Sequence, residues 1–141
     1  MFQNILLAFD GSESAHKAAH LAAGISRCSL SPVILRVVVA YDPLPAYLGE
    51  PNLQKAIDER MKEAETVMEQ ALKAIGETPA EIHTEILEGP AADAILRVAE
   101  TRGSDLIVMG SRGLGQIGSL LLGSQSQKVV NHAPCPVLIA R

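Results

Sequence analysis

Short apolar runs alternate with helix-forming segments along the whole chain, and this alternation constrains the fold more than any other feature. The runs cover residues 5–9, 33–40, 82–87, 105–109 and 136–140. Between them, apolar residues recur every three or four positions, over residues 15–25, 53–75, 90–102 and 124–132. Short runs of this kind are typical of buried strands, and the spacing of the intervening segments is typical of helices. The order predicts an α/β fold: a five-stranded parallel sheet with helices on both faces.

Composition excludes several classes of protein. With 141 residues, of which 48% are hydrophobic and 20% charged, the chain is expected to form one ordered domain over residues 1–141. A net charge of -4, four aromatic residues and no basic run argue against nucleic-acid binding. Two cysteines, Cys28 and Cys135, do not make a disulfide scaffold. Without a basic leader or an apolar run of about 18 residues, we expect a cytoplasmic protein with no membrane span.

Two irregular turns mark the expected ligand site. One is Asp10-Gly11-Ser12, after the first strand, and the other spans residues 110–126, after the fourth strand. Doubly wound sheets bind ligands beyond the carboxyl ends of their strands, where the strand order reverses. A strand order of 3-2-1-4-5 would bring both turns to one crevice.

The second turn has the chemistry of an anion site. Glycines allow the backbone to approach a bulky anion closely, and the segment Gly123-Ser124-Gln125-Ser126 is predicted to begin the last helix. The N-terminus of a helix offers unpaired N–H donors, serine hydroxyls add further donors, and Arg112 supplies a planar cation. The alternative is a surface loop in which Ser124 only caps a helix.

Two familiar phosphate motifs do not explain this turn. Residues 113–118 match G-x-G-x-x-G, but they do not open a helix directly, and no acidic residue follows Asp105. A P-loop needs a lysine before its hydroxyl residue, and Ser124 follows Gly123. A dinucleotide fold and a P-loop nucleotidase are therefore disfavoured.

The spacing Gly110-x2-Gly113-x9-Gly123-Ser124 resembles the nucleotide-binding signature of the universal stress protein family, ATP-binding type. The resemblance extends to Asp-Gly-Ser at 10–12, the segment 105–113 and Cys-Pro-Val-Leu-Ile at 135–139. It implies the strand order 3-2-1-4-5 and an adenine nucleotide at the switch point. The ligand would be ATP with Mg²⁺ or Mn²⁺, the metal having no dedicated protein cage. The implied role is that of a regulatory stress-response protein, a nucleotide-dependent switch or adaptor with a protein partner that the sequence does not name.

The resemblance also implies roles for thirteen residues. Asp10 would face the adenine or ribose, with Ala8 and Phe9 beside it. The base would lie against Val37 and Val38 and under Met109. The backbone of Gly110 would contact the nucleotide, Arg112 and Gly113 would approach the ribose and phosphates, and Gly123, Ser124, Gln125 and Ser126 would hold the phosphate chain.

The residue pattern favours binding over catalysis. The sequence contains no G-x-S-x-G nucleophile motif, and the glycine-rich turn 110–126 with its serines contains no histidine. His16 and His20, one helical turn apart, are interpreted as part of a solvated polar face rather than a metal pair, because no third ligand accompanies them. The alternative is a weak or partner-activated ATPase or phosphotransferase.

Two further expectations concern the surface. The last strand, residues 136–140, is apolar throughout and would be a sheet edge, so we expect a two-fold homodimer through it, as the resemblance also implies. The opposite edge, residues 82–87, carries His83 and Glu85. The proline-rich loop 42–51 rises beside the predicted crevice, where Tyr47 and Leu48 either cover the base or belong to a plain crossover.

Overall fold

In the part of the chain that the structure describes, nine regular elements follow one another in the predicted order. The structure is a computed structural model that describes residues 1–45, 47, 49–113 and 122–141. The elements are β1 (Asn4–Ala8), α1 (Glu13–Cys28), β2 (Ile34–Tyr41), α2 (Asn52–Ile75), β3 (Glu81–Glu88), α3 (Ala91–Arg102), β4 (Leu106–Gly110), α4 (Ser124–His132) and β5 (Val137–Ala140).

The strands form one parallel sheet in the order β3-β2-β1-β4-β5, which confirms the predicted fold class and strand order. β1 lies in the middle, where Leu7 pairs with Val37 of β2 on one side and Val108 of β4 on the other. The chain leaves β1 toward one side of the sheet and later returns to β4 on the other. The carboxyl ends of β1 and β4 are therefore neighbours, at the point where the strand order reverses.

Each face of the sheet has its own apolar core. On one face α1 and α2 pack against Leu7 and Val37, and on the other α3 and α4 pack against Leu6 and Ile107. Successive residues of a strand point to opposite faces, so the fully buried neighbours Leu6 and Leu7 serve different cores. The central strands are covered on both sides, as their continuous apolar runs predict. No helix of the described part of the chain is long and apolar enough to cross a membrane.

Helix α1 packs closely on the sheet because its buried face consists of small residues. These are Ala15, Ala18, Ala19, Ala22, Ala23 and Ser26. Leu21, an apolar residue of the predicted helical segment 15–25, is 44% exposed instead. At 100° per residue Leu21 lies off the alanine stripe, and the close approach of the stripe leaves it no place in the core.

Candidate functional site

A cavity of about 430 Å³ lies across the carboxyl ends of β1, β2 and β4. Both irregular turns reach it, and twelve of the thirteen predicted binding residues line it. They are Ala8, Phe9, Asp10, Val38, Met109, Gly110, Arg112, Gly113, Gly123, Ser124, Gln125 and Ser126. The structure thus brings together residues that are more than one hundred positions apart in sequence.

Val37 is the predicted wall residue that is not part of the lining. It is fully buried in the core beneath α1 and α2, whereas Val38 packs in the opposite core and also reaches the cavity. The two residues face opposite sides of the sheet because strand side chains alternate. The Val37 side chain therefore lies in the core of the other face, and Val38 provides this part of the cavity wall.

The two turns meet at Asp10 and Gly113. A Cβ atom on Gly113 would lie 2.9 Å from Asp10 Oδ2, so the absence of a side chain at this position lets the carboxylate sit against the second turn. Ser14 Oγ, in the first turn of α1, donates a hydrogen bond of 2.8 Å to the carbonyl of Arg112. These contacts hold the first turn against the second without any ligand.

Asp10 also shapes its own turn. Its Oδ1 accepts a hydrogen bond of 2.9 Å from the N–H of Ser12, and Gly11 between them has a φ of +84°, which favours glycine. Ser12 then caps α1 by accepting from the N–H of Ala15 at 3.2 Å. One carboxylate oxygen is thus used in the turn, and Oδ2 faces Gly113.

The two ends of the glycine-rich turn are held together at its base. The N–H of Gly123 donates to the carbonyl of Ser111 at 2.7 Å, and Ser126 Oγ donates to the carbonyl of Gly110 at 2.9 Å. Residues 114–121 of this turn lie outside the described residues. Because the hydroxyl of Ser126 is committed to the backbone of β4, a phosphate at this residue would bind through its N–H group rather than its side chain.

Gln125 has a comparable structural task. Its Oε1 accepts from the N–H of Ala92 at 2.8 Å and so caps the N-terminus of α3, which has no side-chain cap of its own. Ser124, the first residue of α4, is exposed at the cavity. Among the predicted phosphate residues, Ser124 is therefore the one whose hydroxyl the structure leaves at the site, beside the N–H groups of the first helical turn.

Sequence reasoning missed one wall of the cavity. Four residues of α2 line it, Arg60, Glu63, Ala64 and Val67, together with residues 39–42 at the end of β2 and Ala91 and Ile95 of α3. The four α2 residues have the spacing i, i+3, i+4 and i+7, which is one face of a helix. That periodicity is visible in the sequence, but the sequence does not indicate that this face meets the end of β2.

Two interpretations of surface residues concern Tyr47 and His16. Tyr47 is 86% exposed and is not part of the cavity lining, which favours the plain crossover; Leu48 lies outside the described residues. His16 does not lie on a solvated face: its ring packs edge-on against Phe9 with centroids 5.0 Å apart, and Nδ1 lies 2.9 Å from the carbonyl oxygen of Ser12. His20 is exposed, as expected.

Comparisons with known proteins agree with this fold. The model of the universal stress protein family matches residues 1–141. A universal stress protein of Thermus aquaticus is 49% identical over 141 residues, and the match covers the whole of both chains. The universal stress protein YxiE of Bacillus subtilis is 33% identical over 148 residues, again across both chains.

Solved structures give the same result. The universal stress protein UspA from Lactobacillus plantarum superposes with a TM-score of 0.85 at 28% identity, covering 99% of this chain and 98% of that one. A universal stress protein solved in complex with cAMP is also 28% identical, with a TM-score of 0.66 and coverage of 99% and 97%.

Proposed function

The chain belongs to the universal stress protein family, and on that premise we propose that it is a regulatory protein that binds an adenine nucleotide, ATP above all. The observation that carries the proposal is the convergence of two distant turns on one cavity, with the N-terminus of α4 at its edge. A related protein at 28% identity was solved with cAMP, an adenine nucleotide, which supports the same ligand class here.

The phosphate chain would lie at the start of α4. There the N–H groups of residues 124–126 have no intrahelical partner, the helix dipole favours an anion, and the Ser124 hydroxyl is exposed. Gly113 has no Cβ atom, which would otherwise lie 2.9 Å from Asp10 Oδ2. Arg112 also lines the cavity and carries a positive charge. No acidic residue follows Asp105 in the sequence, so the segment 110–126 itself contributes no carboxylate that would repel phosphate.

The base and ribose would lie over the ends of β1 and β2. Ala8, Val38 and Met109 offer apolar surface for a flat heterocycle, and Asp10 provides a carboxylate that can accept hydrogen bonds from ribose hydroxyls. The cavity is within the ordinary size of small-molecule sites, roughly 300–1,000 Å³. Both properties suit a nucleotide.

A divalent cation would accompany the triphosphate. No group of three or more histidine, cysteine or acidic residues among the described residues could hold a metal ion. Mg²⁺ and Mn²⁺ bind readily through phosphate oxygens and water, with few protein ligands. The residues present therefore fit a cation carried by ATP, whose role when bound is to neutralise phosphate charge.

We also propose a homodimer through β5. This strand is an edge of the sheet, its side chains at 137–139 are partly exposed, and Leu21 of α1 lines the same open surface depression as Ile139. An uncovered apolar edge strand has unpaired N–H and C=O groups, so it favours pairing with a second copy of the chain. The dimer would place two nucleotide sites in one particle, which suits a switch that reports nucleotide state to a protein partner.

Identification of the copurifying ligand tests the function directly. The protein is purified without added nucleotide and denatured, and the released small molecules are identified by mass spectrometry. We expect an adenine nucleotide in near-stoichiometric amount, and after incubation with ATP and Mg²⁺ we expect retained, intact ATP. Rapid release of ADP over many turnovers would contradict the regulatory role and favour the ATPase alternative.

A further inference from the structure

The first half of α2 projects beyond the strands that it packs against. Its 24 residues span roughly 36 Å, whereas the eight residues of β2 span roughly 26 Å. The helix follows β2 and runs back along the sheet, so its N-terminal half lies on the side of the carboxyl ends. Its buried residues begin only at Ala64, and residues 52–63 include none. We call residues 52–63 the projecting half of α2.

One face of α2 descends from the projecting half into the cavity. Arg60, Glu63, Ala64 and Val67 share that face at helical spacing. The apolar pair, Ala64 and Val67, lies toward the sheet, and the charged pair, Arg60 and Glu63, lies toward the N-terminus of the helix. A flat ring that packs on the apolar pair would therefore present its polar edge to the charged pair.

Arg60 is a half-buried cation without a partner in the described part of the chain. Its guanidinium makes no hydrogen bond or ion pair with any described residue, whereas Arg36, another half-buried arginine, is held by Glu85 at 2.8 Å. Partial burial of an unpaired charge is unfavourable, and a guanidinium has five N–H donors and no acceptor. A ligand with acceptor atoms at this place would replace the hydrogen bonds to water that the Arg60 guanidinium loses on burial.

The charges of the two ends of the cavity decide which part of the ligand reaches α2. The end at α4 has helix N–H groups and Arg112, and the carboxylate that reaches its turn, that of Asp10, already accepts a hydrogen bond from the N–H of Ser12. The end at α2 has Arg60 together with the carboxylates of Glu63 and Asp42. Two carboxylates beside one cation repel a phosphate group, but they suit a neutral heterocycle that both donates and accepts hydrogen bonds.

We propose that Arg60 and Glu63 bind the polar edge of the base, so that α2 sets the base selectivity of the site. This inference rests on the proposed function. Arg60 would donate to a ring nitrogen of adenine, and Glu63 would accept from the 6-amino group. A purine with a 6-oxo group in its place would put two acceptors face to face and bind more weakly.

The test compares substitutions at the cavity with substitutions on the exposed face of the same helix. Arg60→Gln and Glu63→Gln are the test variants, and Lys62→Gln and Glu65→Gln are matched controls whose side chains are exposed and outside the cavity. Calorimetric titrations use ATP, ITP and adenosine, and circular dichroism checks that each variant is folded.

We expect Arg60→Gln to weaken the binding of ATP and the binding of adenosine by the same factor, about tenfold, because the lost contact is with the base. We expect Glu63→Gln to lower the preference for ATP over ITP by a factor of about five. Both control variants should match the wild-type protein within about twofold.

Three results would overturn the inference. One is an Arg60→Gln variant that binds like Lys62→Gln, and the second is a loss that appears with ATP but not with adenosine, which would assign Arg60 to the phosphates. The third is an unchanged ratio of ATP to ITP affinity in Glu63→Gln. In each case the wild-type protein still binds ATP and the proposed function stands. A wild-type protein that binds no adenine nucleotide overturns both.

Discussion

Gly110 lies where the end of β4 passes closest to the first turn of α1. A Cβ atom built there would contact Ser14 Oγ and would lie 2.8 Å from the Ser14 carbonyl carbon and 2.9 Å from the Ala15 N–H nitrogen. Two of these neighbours are backbone atoms of a capped helix, which cannot move away cheaply. Gly110 therefore serves the packing of β4 against α1, and it also lines the cavity.

Gly110→Ala is expected to destabilise the protein by about 1–3 kcal/mol, because the added methyl group overpacks the contact between β4 and α1. Gly24→Ala is the matched control: Gly24 lies inside α1, and its Cβ would have nothing within 4 Å. That substitution should stabilise the helix by about 0.5–1 kcal/mol. Urea unfolding measures both, and a Gly110→Ala variant as stable as the wild type would contradict the close packing.

The two cysteines should differ in reactivity. Burial, together with the nearby negative charge of Asp105, raises the pKa of the Cys135 thiol above its ordinary value of 9.0, while the side chain of Cys28 is exposed. The thiolate is the reactive form, so iodoacetamide at pH 8 should alkylate Cys28 first, and the rate at Cys135 should keep rising beyond pH 9. Peptide mass spectrometry distinguishes the sites. In urea the two rates should converge, and equal rates in the native protein would refute the expectation.

At the scale of elements, the sequence predicted the order and type of all nine elements of the described chain, and the topology of the sheet. It was sufficient because each strand is a short apolar run and each helix shows clear periodicity. It did not distinguish Val37 from Val38 as a wall of the cavity, since a strand that is buried on both faces has no polar alternation to identify its two sides. It also did not indicate that α2 projects past β2, because periodicity fixes the face of a helix but not its position along a neighbour.

Two arginines bind Glu85 on the edge strand β3. Glu85 accepts from Arg36 Nη1 of β2 at 2.8 Å and from Arg102 Nε of α3 at 3.1 Å, with 18% of its side chain exposed. Glu85→Gln should cost about 1–2 kcal/mol, because it leaves the half-buried Arg36 without its counter-charge.

The control for this pair is Glu81→Gln, on the same strand. The Glu81 side chain bonds only to His83 among the described residues and is 71% exposed, so its substitution should change the free energy of unfolding by less than about 0.5 kcal/mol. Chemical denaturation of the two variants measures the difference. Equal changes in the free energy of unfolding would mean that the cluster of Glu85, Arg36 and Arg102 stabilises the protein no more than a surface ion pair does.

At the scale of the whole molecule, the nucleotide site and the proposed dimer edge share a structural connection. The N–H of Ser111, at the base of the glycine-rich turn, donates to the carbonyl of Ala140 in β5 at 2.7 Å, and the carbonyl of Ser111 accepts from Gly123 at the start of α4. The residue that closes the turn is therefore bonded to the last residue of the edge strand.

We expect the wild-type protein to be a dimer at micromolar concentration and Leu21→Glu to be a monomer. Leu21 is exposed and lines the same surface depression as Ile139, so a charge there should leave the fold intact but would be buried in the dimer at high cost. Leu30→Glu is the matched control, since Leu30 is fully exposed in the loop between α1 and β2, at the end of the molecule opposite the cavity. Sedimentation velocity measures the mass, and a monomeric wild-type protein, or a dimeric Leu21→Glu variant, would contradict the β5 interface.

The most direct test of the account is a calorimetric titration of ligand-free protein with ATP and Mg²⁺, carried out in parallel on Gly123→Val. The wild-type protein should bind one ATP per chain. The variant should lose ATP binding, because a branched side chain would occupy the proposed phosphate position at the start of α4. It should stay folded, because the backbone of Gly123 has a φ of -69°, which any residue can adopt. A folded wild-type protein that gives no binding heat with ATP, ADP or AMP at any temperature, or a Gly123→Val variant that binds as well as the wild type, would contradict it.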